Sequence, residues 1–171
     1  MGDKCIDCGK PLTNPRYNRC YDCEQKKRGT TGGGSGHGGS FEPLPEGYLS
    51  KGYFDENGDL RPELVIGSAE SVAKAFGSKF PNHQLRRYYN HAKEIETRLE
   101  TGTPFHALLP DILKLIPFVS EAKGKNKVPD SFFNFIKKNI ELVKDEKAFV
   151  KGFMVHFEAV VAYFTYIYPR A

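Results

Sequence analysis

Beyond residue 23 the chain contains no cysteine, so neither a disulfide nor a thiolate metal site can involve the long remainder. No Gly-rich phosphate loop is tied to a strand and a helix, and His83, His91, His106 and His156 have no neighbouring carboxylate pattern of the kind that general acid–base work needs. A paired imidazole metal motif is missing too, since His91 with Glu94 and Glu96 offers one imidazole only. These absences argue against an enzyme. No apolar run approaches the roughly 18 residues of a spanning helix, and Ile6 stands where N-myristoylation after Gly2 needs Ser or Thr. With no signal-peptide pattern ahead of Cys5, the reading is a cytoplasmic protein without a membrane partner.

What is present begins with Cys5-x2-Cys8 and Cys20-x2-Cys23, separated by eleven residues. Tetrahedral Zn²⁺ takes four thiolates at about 2.3 Å, and each Cys-x2-Cys knuckle supplies two from one tight turn. Gly9 follows the first pair, where such a knuckle favours positive φ. All four cysteines are consumed by one closed site, which marks the zinc as structural rather than catalytic. Residues 1–28 are too few to fold by apolar burial, so the metal would supply the folding free energy of that module. Residues 29–40 are a Gly/Ser-rich flexible linker, spanning on the order of 20 Å as a random coil; His37 within it reads as a solvated side chain, not a fifth ligand.

The net charge of +4 is unevenly placed. Residues 1–31 hold seven basic and four acidic groups, residues 32–66 two and six, and residues 67–171 sixteen and eleven. The third stretch is the basic one, compatible with a nucleic-acid partner. It is also helical in pattern, whereas residues 41–66 read as an extended arm followed by a turn at Asn57-Gly58. The acidic turn Asp55 to Asp59 is not a calcium loop, because its glycine comes two residues early and no Glu closes it. Ser68 is expected to cap a helix through Phe76, and Asn82 a longer one in which Leu85, Tyr88, Ala92, Ile95 and Leu99 recur at spacings of three and four. Thr103-Pro104 opens a helix from Phe105 to about Leu115, kinked or split by Pro110, with Pro117 beyond it. A basic loop, Lys123 to Lys127, precedes a helix from Pro129 to about Val143. The last helix, from about Glu146 to Tyr166, aligns Phe149, Phe153, Phe157, Val160, Val161, Phe164 and Tyr168 in a core stripe. Five helices with no strand pattern predict a compact all-α bundle.

If Leu85, Tyr88 and Ala92 turn inward, Arg86, Arg87, Tyr89, Asn90 and Lys93 face outward. Two guanidiniums, an ammonium, an amide and a phenol suit the backbone and bases of single-stranded RNA or DNA, with little sequence readout. The bland alternative is a solvated face paired to Glu94 and Glu96. Lys123, Lys125 and Lys127 add three ammoniums, for which a polar turn is the stronger reading.

Gly52 to Leu64, the short Ala-rich helix after it and Gln84 to Glu96 resemble the small α-helical subunit of type III-A, Csm-type, CRISPR effector complexes. Leu113 to Phe135 and Phe157 to Tyr163 are similar to that family as well, so the resemblance spans about residues 48–168. It implies a non-catalytic bundle present in several copies, packed head to tail along the duplex of guide RNA and target RNA beside other Csm-type subunits. Target cleavage belongs there to the backbone subunit and cyclic-oligoadenylate synthesis to the large one. Arg86, Arg87 and Lys123 fall on or near the family's basic positions. Leu115 to Val119 departs from its more basic and tyrosine-rich character, and the cysteine module and linker lie outside it. A second function class stands beside the first. In it a zinc-ribbon regulator or adaptor meets DNA through Arg16, Arg19 and Lys26 to Arg28, while the helical bundle docks a protein.

Overall fold

The computed structural model describes Cys5, Cys8 and residues 43–171. The chain divides into two compact units, Met1–Gly38 and Gly39–Ala171. The limits expected at residues 28 and 40, together with Cys20 and Cys23, lie outside the described residues.

Among the described residues the second unit is helical, with one isolated antiparallel bridge, Phe54 to Leu60, and no strand. Its helices are α1 (Gly67–Phe76), α2 (Asn82–Glu100), α3 (Phe105–Leu113), α4 (Leu115–Gly124), α5 (Asp130–Leu142) and α6 (Val155–Ile167), the last continuing without a break from a π-helical stretch, Ala148–Met154. The expected side-chain caps are corrected. Ser68 and Asn82 lie inside their helices, and Pro81, Pro104 and Pro129 occupy the N-cap positions of α2, α3 and α5 in extended conformation. Proline lacks a backbone donor and disfavours helix in the residue before it, so it starts a helix without a side-chain cap.

The largest departure is α4, expected as a helix end and a basic loop. Leu115 and Val119 are buried, with Phe118 and Ala122 packed against the core at helical spacing. Pro117 falls in the first turn, where a missing N–H breaks no intrahelical bond. The chain does split as Pro110 and Pro117 suggest, at Lys114. Asn126, at φ 54°, ends α4 in the left-handed region, with Lys127 N–H donating to Ala122 O and Asn126 N–H to Lys123 O.

Phenylalanine fills the core. Phe76 meets Phe132 edge-on at 5.2 Å, and Phe153 stacks on Phe157 at 5.4 Å. Phe149, Phe153 and Phe157 recur every four residues, which would drift about 40° per step on a regular α-helix. The wider π turn keeps the fully buried Phe149 and Phe153 in line with Phe157. Ala148–Ile167, with mean hydropathy 1.2, is long and apolar enough by length and composition to cross a membrane, contrary to the expectation that no such run exists. Half of that stretch is buried in the bundle, and its exposed positions are Lys151, Glu158, Ala162 and Tyr166. α1 runs parallel to it: Leu64 O meets His156 at one end, and Tyr168 Oη donates to Lys74 O at the other.

The arm, where described, has no regular structure over residues 43–45 and then turns at residues 46–51, with Tyr48 N–H donating to Pro45 O and Ser50 N–H to Gly47 O. It inserts two phenols into the bundle. Tyr48 Oη lies 2.7 Å from His156 Nε2, and His156 Nδ1 lies 2.5 Å from Leu64 O. Asn139 Nδ2 donates to Tyr48 Oη and Phe135 O, while Tyr53 Oη donates to Asn139 Oδ1 at 2.8 Å. One proton arrangement satisfies every member: Nδ1–H donates to Leu64, and Nε2 accepts from Tyr48. Burial pushes the Tyr48 and Tyr53 hydroxyls well above the usual tyrosine range and the His156 imidazole down to about 4. Asp55 Oδ1 accepts from the backbone of Asn57 and Asp59, so that carboxylate closes its own turn.

Candidate nucleic-acid interface

α2 is amphipathic, burying Leu85, Tyr88, Ala92, Ile95, Glu96 and Leu99 and exposing Arg86, Arg87, Asn90 and Lys93. The expected outward residues do not form one face. Tyr89 is half-buried, its ring set edge-on to Phe157 at 5.5 Å. Burial, and then Glu158, hold its hydroxyl above the usual range. Lys93 Nζ lies 2.5 Å from the carboxylate of buried Glu96, a contact that raises its pKa. These two side chains lean toward α6, where Glu96 and Glu158 outnumber the single ammonium.

Arg87 leans the other way. Its guanidinium sits 4.6 Å above the Phe118 ring of α4, and the Tyr88 hydroxyl reaches Phe118 O at 3.4 Å. Arg86 stays toward solvent, with Nε donating to Asn82 Oδ1 at 3.3 Å. On the next turn of α4, Glu121 pairs with Lys125, which is the main cause of its lowered carboxyl pKa; Lys127 and Arg87 contribute beyond that. Arg87, held on α4 by Phe118 one turn from Glu121, thus adds its charge to that of Lys125, which pairs with the carboxylate, and of Lys127. Lys123 lies 4.5 Å from the Phe133 ring and 3.1 Å from Asp130, so its charge is partly occupied. The lysines end a helix, where cations complement the dipole.

Phe118 and Glu121 were missed by sequence reasoning. The signal was the spacing Leu115, Phe118, Val119, Ala122, read through by attending to Pro117 and Gly124 as breakers. Of the proposed zinc ligands, Cys5 is buried and Cys8 exposed.

The family model described as Csm2 Type III-A matches residues 59–170. The chain belongs to this family. Membership makes it a Csm-type small subunit of a multi-subunit type III-A CRISPR complex. The match holds α2, α4 and the charges around Glu121, whereas Gly52 to Gly58, included in the expected resemblance, and the cysteines precede it. Comparison with curated proteins and with solved structures gives no match.

Proposed function

We propose that this chain is a non-catalytic small subunit that holds the backbone of guide RNA and target RNA without reading sequence. In this role it supports assembly with other Csm-type subunits and further copies of itself in a cytoplasmic antiviral ribonucleoprotein. The observation that carries the reading is the docking of Arg87 on Phe118 of α4, one turn from the Lys125–Glu121 pair, with Arg86, Asn90 and Lys127 exposed. One carboxylate among three cations leaves positive charge for phosphates, and Arg and Lys contacts to phosphate give affinity without base discrimination. Tyr89 and Lys93 would contribute less, because both are engaged on the acidic α6 side. The test is the Arg86→Glu/Arg87→Glu variant of the full chain, titrated with mixed-sequence RNA. At least about tenfold weaker binding is expected, with a shallower salt dependence and unchanged helical circular dichroism. Unchanged affinity would sink the reading.

For the N-terminal segment, the two Cys-x2-Cys pairs support one structural Zn²⁺ held by Cys5, Cys8, Cys20 and Cys23. The tethered module would act as a second weak binding element that raises local concentration on RNA or on a neighbouring subunit. Protein purified under reducing conditions should carry one zinc per chain and lose it on Cys20→Ser; metal-free protein would refute the site. Deletion of residues 1–40 should weaken assembly or RNA affinity, and no change in either would remove the proposed role.

A further inference from the structure

Between the turn after α1 and the loop joining α4 to α5 lies an open groove of about 520 Å³, within the range of small-molecule sites. Lys79, Asn126, Lys127, Asp130 and Asn134 supply its polar lining, and Phe80, Val128 and Pro129 the apolar part. Its walls are braced. Ser131 Oγ donates to Ala75 O at 2.9 Å, tying the first turn of α5 to the end of α1, and Phe80 packs against Phe132 at 4.8 Å.

The charge is one-sided. Lys79 and Lys127 are exposed, and neither makes an ion pair among the described residues. Asp130, the one lining carboxylate among the described residues, lies 3.1 Å from Lys123. Two exposed ammoniums without a direct ion pair among the described residues, opening on a cavity that also offers two amides, match a ligand with a phosphate and polar edges. Lys127 belongs both to this groove and to the charges around Glu121, so a strand crossing that cluster arrives at the groove mouth.

We infer that the groove receives one nucleotide of the bound RNA, its phosphate between Lys79 and Lys127, its ribose and base against Asn126 and Asn134. The inference rests on the RNA-binding reading above. It assigns a task to Lys79, which lies outside the α2 face, and to two asparagines with no local signal in the sequence.

The test uses the full chain in two arms. In the first, amide resonances are followed while uridine 5′-monophosphate is added, with uridine and inorganic phosphate as separate controls. Shifts are expected at Lys79, Asn126, Lys127 and Asn134, weakened about fivefold in Lys79→Ala and retained in Arg86→Glu/Arg87→Glu. Equal shifts from inorganic phosphate alone would overturn the nucleotide assignment, as would shifts centred on Arg86 and Arg87. In the second, RNA affinity is measured against salt, where losing one phosphate contact lowers the logarithmic slope by about 0.7. Lys79→Ala should show that drop. If its slope is unchanged while Arg86→Glu/Arg87→Glu abolishes binding, the groove assignment falls and the interface stands. If the double reversal leaves RNA binding intact while the nucleotide still shifts the groove amides, the interface reading falls and the groove stands.

Discussion

Gly152→Ala sets two effects of opposite sign against each other. Alanine favours a helix over glycine by about 1 kcal/mol, and Gly152 is helical and buried. The added Cβ, however, would lie 2.7 Å from two ring carbons of Tyr53, closer than real contacts allow. The ring cannot swing clear cheaply, because its hydroxyl donates to Asn139 Oδ1 at 2.8 Å. Overpacking of this kind costs about 1–3 kcal/mol, and displacing the phenol leaves buried polar groups short of partners at about 1 kcal/mol or more. The clash wins, with an expected net loss of about 1–3 kcal/mol. Urea unfolding followed by far-ultraviolet circular dichroism suits a chain without tryptophan. The decisive comparison is the same substitution in a Tyr53→Ala background, where the clashing ring is gone and only the residue-53 Cβ remains close, at 3.1 Å, so the loss should shrink well below that in the parent chain. A loss of equal size in both backgrounds would refute the argument that Tyr53 is what demands glycine there.

Three further outcomes are expected. Because burial lowers the His156 imidazole to about 4 from an ordinary 6.5, the unfolded chain binds a proton between those values that the folded chain does not. Stability should therefore be full above about pH 6.5 and fall by up to about 3 kcal/mol as pH drops toward 4; His156→Gln should flatten that slope, and an unchanged slope would assign it to other groups. Asn139→Leu removes the donor to Tyr48 Oη and leaves the Tyr53 hydroxyl only its 3.1 Å bond to the residue-139 backbone carbonyl, and should cost about 1–3 kcal/mol, read as a lower urea midpoint. Glu121→Gln frees Lys125 and removes the one carboxylate among Arg87, Lys125 and Lys127, so RNA affinity should rise about two- to fivefold, whereas weaker binding would argue against phosphates at this cluster.

The helices α1, α2, α5 and α6 were legible because their apolar residues repeat at helical spacing over two or more turns. α4 was not, since Pro117, Gly124 and a run of lysines read as punctuation although proline in a first turn is harmless. The inward stripe of α2 was readable to the residue, but its flanks were not. Tyr89 and Arg87 stand at the stripe's two edges, and only the neighbours Phe157 and Phe118 decide which way each leans. The tyrosine–asparagine–histidine network left no local trace, because its partners lie 86 to 108 residues apart and each looks like an ordinary polar side chain alone. The lysines at the end of α4 were visible as charge, but their assembly with Arg87 depends on α4 packing beside α2.

The network also decides where the folded unit begins. The family match opens at residue 59, and the first α-helix of the bundle at Gly67, so either position looks like a natural place to trim the chain. A fragment cut at either point keeps Asn139 and His156 but discards both phenols that complete their hydrogen bonds. The smallest version of this subunit that keeps the network therefore starts before Tyr48, and recombinant fragments trimmed to the family match should be judged as damaged proteins rather than minimal ones.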